Sequence, residues 1–331
     1  MGIRLSSIKD SERSERYPSR IRDNERSECY PSRIRDNERS ECYPSRIRDN
    51  ERSECYPSRP RIPTNERCIP MNSQRDFITE ICQEENITLE SLSQGYVLRL
   101  TKDNISRTIY GPYWAINSAA ADRIACDKCA CYTLLHQSGI PAIGHALLTH
   151  PVKHYGWTGE KGVLAKVLDF FNKYKTVVIK PNQGSNGHGV FFCDNIHKLE
   201  HAVQTVFAMN ADAAISPFYD IKTEYRVFYF NGECHFVYGK TKSETDWRHN
   251  LSQGATAFEI ESPHVYENLA TKAAKAIDIN FATVDIAELK NGKLAVMEIN
   301  AGVQAKQLLE QLPHLRSTIK NIYAMAIRGM F

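Results

Sequence analysis

Two apolar segments near the C-terminus are separated by residues typical of a turn. This pattern strongly constrains the local structure. The dipeptide Asn291-Gly292 lies between them, and such a dipeptide is typical of a β-hairpin. The segments are therefore predicted to be two antiparallel strands. The first would carry Asp285, and the second would carry Glu298 and Asn300, which face the same side because they are two residues apart.

This hairpin is a candidate metal site. Carboxylate and amide oxygens are ligands that Mg²⁺ accepts, and the remaining positions of the ion are left to water and to substrate phosphates. The spacing alone favours an ordinary hairpin whose polar residues face water. The metal interpretation of Asp285, Glu298 and Asn300 therefore depends on the sequence upstream.

A glycine-rich segment supplies the second half of the candidate site. A β-branched run ends at Lys180, and three glycines follow at Gly184, Gly187 and Gly189 before the next apolar run. Glycines let backbone N–H groups approach phosphate oxygens, and a lysine adds a positive charge. The segment joins two predicted strands, so it is neither a Walker loop nor a dinucleotide fingerprint. Taken alone, an ordinary glycine-rich hairpin remains the alternative.

Several further polar residues occur within or after strand-like segments, where a protein would normally place neutral side chains. They are Arg226, Lys240, Arg248 and Asn250, and a further lysine, Lys128, lies in a helical stretch upstream. For Arg226, Lys240 and Arg248, surface ion pairing is the alternative interpretation.

This ordered set of motifs resembles the ATP-grasp ligases over residues 72–328. It is most similar to the ATP-grasp segment of cyanophycin synthetase and of bifunctional glutathione synthetases. The stretch Asp246-Trp247-Arg248-His249-Asn250 is also similar to ribosomal-protein glutamate ligases. The resemblance implies an α+β fold with two lobes and a nucleotide between them.

The resemblance also implies roles for individual residues. Asp285, Glu298 and Asn300 would hold one or two Mg²⁺ ions, for which Mn²⁺ is an alternative. The acyl substrate and the transferring phosphate would be bound by Arg226, Lys240, Arg248 and Asn250. ATP would be bound by a larger set of residues: Lys128, Lys180, Gly184, Gly187, Gly189, Ser216, Phe218 and Glu224.

The activity that follows from the resemblance is amide-bond formation. ATP would phosphorylate a carboxylate, and an amine would then displace phosphate from the acylphosphate. Two alternatives stay open, namely a ligase that modifies a ribosomally made peptide or protein, and a non-catalytic nucleotide-binding protein. The partners would be a small carboxylate and a small amine, such as amino acids or peptides, and a homo-oligomer is compatible with the sequence.

The sequence departs from the family pattern at two places. The expected adenine hinge, 215–219, offers Ser216 and a proline where relatives carry Glu or Gln, and Glu224 stands where Asp is frequent. After Asn300 the chain reads Ala301-Gly302-Val303-Gln304-Ala305-Lys306 instead of a Ser/Pro turn. The acyl-substrate end of the site is therefore expected to differ from that of glutathione or glutamate ligases.

Charge and cysteine content limit the class of protein. Residues 1–70 contain 16 of the 42 basic and 13 of the 39 acidic residues, which leaves 26 of each in the remainder. A neutral body argues against nucleic acid as an obligate partner. The chain shows neither a membrane-span pattern nor a signal peptide, so its ten cysteines are expected to be reduced thiols in a cytoplasmic protein.

A tandem repeat occupies the N-terminus. A 13-residue unit begins at Tyr17, Tyr30 and Tyr43 without a substitution, and a degraded copy begins at Tyr56. Each unit has too few apolar residues to bury a core, so residues 1–70 are predicted to be disordered. A dispensable extension, an attached substrate and an interaction tail are the alternative interpretations.

The remaining sequence is predicted to contain a short leading segment and one larger domain. The leading segment, 72–117, would hold a helix over 73–86 and strands at 96–100 and 105–110. The ATP-grasp domain would span 118–330, with lobes at 118–213 and 214–330. Its first element is predicted to be one helix over 118–138 that carries Lys128.

Overall fold

The computed structural model describes residues 73–153, 162–184, 187–243 and 247–331. These ranges contain helices α1 Gln74–Glu84, α2 Ala119–Cys126, α3 Lys128–Gln137, α4 Gly162–Tyr174, α5 Ile196–Ala208, α6 His264–Ala276, α7 Lys306–Gln311 and α8 Arg316–Arg328. The strands are β1 Thr88–Leu92, β2 Val97–Lys102, β3 Ile105–Tyr110, β4 Ala146–Leu148, β5 Val177–Pro181, β6 Phe191–Cys193, β7 Ala213–Pro217, β8 Ile221–Phe230, β9 Glu233–Thr241, β10 Thr256–Glu259, β11 Phe281–Leu289 and β12 Leu294–Asn300. The predicted disorder of residues 1–70 lies outside the described residues.

The strands form three antiparallel sheets. The leading sheet has the order β1-β2-β3, the second has the order β4-β7-β5-β6, and the largest has the order β10-β9-β8-β11-β12. The glycine-rich segment joins β5 to β6, which pair with each other, as the sequence predicted. The hairpin predicted around Asn291-Gly292 is the β11–β12 pair.

The register of the five-stranded sheet groups the polar residues on one face. Arg226 on β8 lies directly opposite Asp285 on β11, and Asp285 lies opposite Glu298 on β12. Directly opposite residues share a face of the sheet. Farther along the same face, the buried Phe228 and Phe281 pack in a core that also contains residues of α1 and α8.

The other face of the five-stranded sheet is apolar and covered. Val227, Val284 and Ile299 are fully buried together with alanines of α6 and residues of α2 and α3. The alternation along each strand thus separates a covered apolar face from the polar side chains of the candidate site. A third core, built around Ile179 and Ile215, lies between the four-stranded sheet and helices α4 and α5.

The prediction of one helix over 118–138 is wrong, because the structure has two helices there. Ser118 caps α2, and Asp127 caps α3 by accepting a hydrogen bond from Ala130 N at 2.8 Å. Asp127 has extended backbone angles, φ −102° and ψ 105°, so it cannot continue α2. A short acidic side chain favours a cap over a helix interior, and the break places Lys128 at the first residue of α3.

Other predicted elements match the structure to within a few residues. The helix predicted over 73–86 is α1, where Ser73 and Asp76 form a reciprocal capping box. Three short strands, β1, β4 and β10, were missed, since five residues or fewer give little periodicity. No helix in the described ranges has both the length and the apolar character that a membrane span needs.

Candidate active site

A cavity of about 600 Å³ brings most of the predicted site residues together. This volume is in the range of pockets that hold nucleotides and drug-sized ligands. The lining comes from the four-stranded sheet, the five-stranded sheet and α3. The predicted residues that line it are Lys128, Lys180, Gly184, Gly187, Ser216, Phe218, Glu224, Arg226, Lys240, Arg248, Asn250, Glu298 and Asn300.

Two predicted residues, Asp285 and Gly189, do not line the cavity. Asp285 lies beneath the cavity wall with 1 % of its surface exposed. A Cβ added to Gly189 would lie 3.2 Å from Pro181, and the residue has a φ of +68°. Gly189 therefore allows the loop to pack closely against Pro181.

The three predicted metal ligands converge. The Nδ2 of Asn300 lies 3.2 Å from Oδ2 of Asp285 and 3.4 Å from Oε1 of Glu298. Glu298 and Asn300 face the cavity together, as their two-residue spacing predicted. No group of three His, Cys, Asp or Glu side chains is placed for metal binding in the described part of the chain. A cation here would thus rely on two carboxylates, one amide and ligand phosphates, which suits Mg²⁺.

Asp285 is held by a bidentate ion pair. Both oxygens accept hydrogen bonds of 2.6 Å from Arg226, and Nζ of Lys240 lies 3.5 Å away. Burial alone would raise the pKa of Asp285, but these two cations outweigh it and lower the pKa to about 2. Arg226 was predicted to bind substrate, whereas the structure shows its guanidinium fork occupied by Asp285.

A second buried ion pair joins Glu224 and Lys240, which are opposite each other on β8 and β9. Both side chains are at most 5 % exposed. Burial raises the pKa of Glu224 to about 7 even with Lys240 beside it. Glu224 was predicted to contact a nucleotide and Lys240 to contact substrate, and here each neutralises the other at the cavity wall.

Lys128 and Lys180 meet at the glycine-rich loop. Nζ of Lys128 donates to the carbonyl of Gly184 at 2.9 Å. The loop is tied to α3 by the buried Asn182, whose Oδ1 accepts from Cys129 N at 3.1 Å. Burial lowers the pKa of Lys180 to about 8. Asn182 was missed by sequence reasoning, although its place two residues after Lys180 was a usable signal.

Residues from the β9–β10 connection reach the same loop. Arg248 donates to the carbonyl of Gly187 at 3.0 Å. Gly187 has a φ of +69°, and a Cβ built there would lie 2.2 Å from Nδ2 of Asn250. The predicted substrate residues Arg248 and Asn250 are thus placed against the predicted phosphate loop.

The predicted hinge end of the cavity is aromatic. Phe218 has ring-centroid distances of 4.7 Å to Phe192 and 5.7 Å to Trp247. Ser216 is buried on β7. The backbone N–H of Phe218 donates a hydrogen bond to the carbonyl of Thr176, with an N–O distance of 3.0 Å. Trp247 was noted in the sequence without a role, and the structure places it at this end.

The acyl-substrate end of the cavity, which was expected to differ from that of glutathione or glutamate ligases, is lined by residues that were given no role from the sequence. Tyr113, Arg123 and Cys126 line it, with Gln304 and Lys306 from the segment after β12. Tyr113 Oη and Cys126 Sγ are 3.6 Å apart. This hydrogen bond, with burial, raises the pKa of Tyr113 to about 12. Sequence reasoning missed Tyr113 and Arg123, because they come from the connection before α2 and from α2 itself.

Sequence comparison finds relatives that are called probable alpha-L-glutamate ligases. The protein from Haemophilus ducreyi is 26 % identical over 225 residues, which cover 64 % of this chain and 69 % of the relative. The Marinobacter nauticus protein is 29 % identical over 157 residues, covering 43 % and 51 %. The Trichodesmium erythraeum protein is 28 % identical over 127 residues, covering 38 % and 42 %. The chain thus spans about half the length of the curated relatives it matches.

Solved structures share the fold at low sequence identity. D-alanyl-alanine synthetase A from Vibrio cholerae is 11 % identical with a TM-score of 0.54, and the match covers 76 % of this chain and 92 % of that one. D-alanine–D-alanine ligase from Bacillus anthracis is 19 % identical with a TM-score of 0.50, covering 65 % and 70 %. These matches confirm the predicted α+β ATP-grasp fold.

The family model described as a RimK-like ATP-grasp domain matches residues 125–314. This range is more than half of the 331 residues, and it includes all of the predicted site residues. The resemblance inferred from the motifs is confirmed, and the chain belongs to the RimK-like ATP-grasp family.

Proposed function

We propose that the protein is an ATP- and Mg²⁺-dependent carboxylate–amine ligase that forms an amide bond through an acylphosphate. The observation that carries the proposal is the convergence of an acidic cluster and several cations on one cavity. Glu298 and Asn300 enter it from the five-stranded sheet, whereas Lys128 and Lys180 enter it from the other side. Such a site neutralises a transferring phosphoryl group from several directions, which is what phosphoryl transfer requires.

The donor set fits a hard divalent cation. Glu298, Asn300 and Asp285 would hold Mg²⁺, or Mn²⁺ as an alternative, and the ion would neutralise charge on the phosphates. Arg226 occupies one lone-pair site on each oxygen of Asp285, so as a ligand Asp285 would use a site that now faces Asn300 or Lys240. Arg226 then acts mainly by fixing the orientation of Asp285.

Several cations would each bind part of the phosphate chain of ATP. Lys128 and Arg248 now donate to loop carbonyls of Gly184 and Gly187, and phosphate oxygens would replace those carbonyls as acceptors. Lys180, which is half-buried at the cavity wall, would supply a further positive charge. The loop itself would cover the phosphates and exclude water from the acylphosphate.

The reaction would proceed in two displacements. A carboxylate oxygen of the acyl substrate attacks the γ-phosphorus, the bond to the β-phosphate oxygen breaks, and ADP leaves. The amine nitrogen then attacks the acyl carbon, inorganic phosphate leaves, and the nitrogen loses a proton. The names of the relatives favour amino acids or peptides as the carboxylate and the amine. Arg123, Gln304 and Lys306 are the residues of this chain that would contact these substrates.

Phosphate release tests the proposal. The purified protein is incubated with ATP, Mg²⁺ and pairs drawn from the twenty amino acids and from short peptides, with and without hydroxylamine. A substrate-dependent release of phosphate, with a hydroxamate product when hydroxylamine replaces the amine, is expected. Binding of ATP without release for any pair would instead favour the non-catalytic alternative. Release that depends on peptides and on no free amino acid would favour a peptide-modifying ligase.

A further inference from the structure

A second, smaller cavity lies beside the active-site cavity and shares two residues with it. Gln304 and Lys306, which are exposed side chains of the segment after β12, line both cavities. The smaller cavity, called here the side groove, has a volume of about 240 Å³. Most of its other lining comes from the leading segment, including Arg75, Ile78, Tyr96, Leu98 and Ile109. A ligand in the active-site cavity can therefore extend past Gln304 and Lys306 into the side groove.

The side groove has an apolar floor and an aromatic wall. Ile78, Leu98 and Ile109 are each at most 5 % exposed, whereas the ring of Tyr96 is 52 % exposed. Gly111 holds this ring close to the backbone. Its N–H donates to the carbonyl of Tyr96 at 2.8 Å, and a Cβ built at Gly111 would lie 2.7 Å from the ring. The absence of a side chain at Gly111 thus fixes the place of the aromatic wall.

The size of the side groove suits part of a ligand. Separate small-molecule sites have volumes of about 300–1,000 Å³, and the side groove is smaller than that range. An apolar floor stabilises an apolar group that is removed from water. The side groove therefore matches one apolar side chain of a ligand whose remainder lies in the active-site cavity.

The charged residues that line the side groove are cations. They are Arg75 and Lys306, and no Asp or Glu is among the described residues that line it. Arg75 donates to Oγ of Ser91 at 2.8 Å, and Lys306 lies 4.0 Å from Glu310 in an exposed ion pair. Exposed pairs of this kind contribute little, so the charge of Lys306 remains available to a ligand. The side groove thus suits a neutral or acidic group better than a basic one.

Membership of the family does not account for the side groove. The family model matches residues 125–314, which include Gln304 and Lys306. Ile78, Tyr96 and Ile109 all precede that range. The leading segment therefore adds this cavity to the shared domain, at the end where the acyl substrate is expected.

We propose that the carboxylate substrate is a peptide, which places its reacting carboxylate in the active-site cavity and the apolar side chain of the preceding residue in the side groove. A free amino acid would leave the side groove empty, because it has no preceding residue. The inference rests on the proposed function, since its ligand is the carboxylate substrate of that reaction. It deepens that function by choosing peptides over free amino acids and by assigning the choice to the leading segment.

Hydroxylamine trapping compares peptides with free amino acids. The full-length protein is incubated with ATP, Mg²⁺, hydroxylamine and each of the twenty amino acids, either free or as the second residue of a dipeptide that begins with Gly, Leu or Lys. For the amino acid that reacts, kcat/KM should be at least about tenfold higher in the Leu dipeptide than in the Gly dipeptide or the free form, as expected for burying a side chain of that size. The Lys dipeptide should react more slowly than the Leu dipeptide, because cations line the side groove.

Variants of Tyr96 connect this preference to the side groove. Tyr96→Ala removes the aromatic wall and should lower the ratio of Leu to Gly dipeptide kcat/KM towards one. Tyr96→Phe keeps the ring and should retain the ratio. Tyr174→Ala is the matched control, because Tyr174 on α4 is also an exposed tyrosine but lines neither cavity. Its replacement should leave the ratio unchanged.

The wild type alone can overturn the inference, even if a variant fails to fold. Equal kcat/KM for the Leu and Gly dipeptides would do so, and so would a free amino acid that reacts as fast as its Leu dipeptide. Occupation of the side groove by the chain's own residues before Ser73 would give the first of these results. An unchanged ratio in Tyr96→Ala would overturn the inference as well. Absence of hydroxamate with every compound would instead overturn the proposed function.

Discussion

The two carboxylates of the candidate metal site have different surroundings. Asp285 is buried and both of its oxygens are held by Arg226. Glu298 faces the cavity, and in the described part of the chain its carboxylate takes a single long hydrogen bond of 3.4 Å from Asn300. Glu298 is therefore the carboxylate that is free to give up its present contact for a cation.

Replacing Glu298 by Gln should abolish turnover and leave the fold intact. The amide keeps the volume but loses the anionic oxygen that Mg²⁺ needs, so we expect a loss of more than tenfold, about 1.4 kcal/mol or more. Phosphate release measures activity, and circular dichroism checks the fold. Glu259→Gln, an exposed change on β10 of the same sheet, is the control and should keep full activity. Retention of more than about a tenth of the activity in Glu298→Gln would contradict the metal assignment.

Lys180 should make ATP binding depend on pH. Burial lowers its pKa from 10.5 to about 8, so the side chain is charged below pH 8 and neutral above it. Affinity for ATP should therefore fall as the pH rises past 8, by up to about tenfold per pH unit, whereas affinity for adenosine should not change.

Two variants of Lys180 test this expectation. Lys180→Arg stays charged and should remove the pH dependence of ATP affinity. Lys180→Ala should weaken ATP more than adenosine at pH 7.

Calorimetric titration of both ligands between pH 6.5 and 9.5 decides whether Lys180 contacts phosphate. Lys173→Ala, an exposed change on α4, is a suitable control for the loss of a lysine. If ATP and adenosine lose affinity equally in Lys180→Ala, Lys180 has a structural role and the glycine-rich segment is an ordinary hairpin.

At the level of single residues, the sequence predicted which side chains gather but not how they pair. Lys128, Lys180 and Glu298 could be singled out because their types and order match a known pattern. The Arg226–Asp285 pair could not, because 59 residues separate its members and only the sheet register makes them opposite.

Among the elements, the β5–β6 loop contains a glycine, Gly187, whose conformation is sensitive to substitution. The sequence alone predicts that a side chain at Gly187 has little effect on the empty protein. In the structure Gly187 has a φ of +69°, and a Cβ there would lie 2.2 Å from Asn250. A substitution must therefore displace Asn250 or the loop even before a nucleotide binds.

Gly187→Ala should weaken ATP binding by at least about tenfold, with Gly139→Ala as the control. Gly139 has the same φ of +69°, but nothing lies within 4 Å of an added Cβ. Both substitutions should cost about 1–2 kcal/mol of stability from the left-handed backbone conformation. Only Gly187→Ala should also lose affinity, measured by calorimetry beside thermal melting. Equal affinities in the two variants would show that the loop does not approach the phosphates.

Element types followed from the sequence more securely than element ends. A long periodic stretch such as α1 was predicted correctly, because it buries one apolar face. The break at Asp127 was missed, because the apolar pattern continues on both sides of it and only the side-chain cap interrupts the helix. That cap places Lys128 beside Gly184, so the error bears directly on the site.

Considering the whole molecule, the leading segment is not separable from the rest by its packing. Phe77 on α1 stacks on Tyr323 of α8, with ring centroids 5.3 Å apart, and Trp114 packs on Phe281 of β11 at 5.1 Å. All four are at most 3 % exposed in one common core. We propose that the boundary near residue 117 separates sequence motifs and does not separate independently folding units.

The N-terminal repeats, unlike the leading segment, are expected to be separable from the rest of the chain. Each 13-residue unit offers almost no apolar surface, and α1 completes its own N-terminal cap with Ser73 and Asp76. The helix therefore needs nothing before residue 73 to satisfy its first N–H groups. This predicts that the repeats contribute little to the stability of the remaining chain.

Two truncations test both expectations together. A chain that starts at Met71 should melt within about 2 °C of the full-length protein and bind ATP equally well, because no core is lost. A chain that starts at Ser118 should be severely destabilised or fail to fold, because it loses Phe77, Leu100 and Trp114 from the common core. Thermal melting and ATP titration are measured on all three chains.

A melting temperature lower by more than about 4 °C for the first truncation, roughly 1–2 kcal/mol, would show that residues 1–70 pack on the body. A stable second truncation would show instead that the ATP-grasp domain folds without its leading segment.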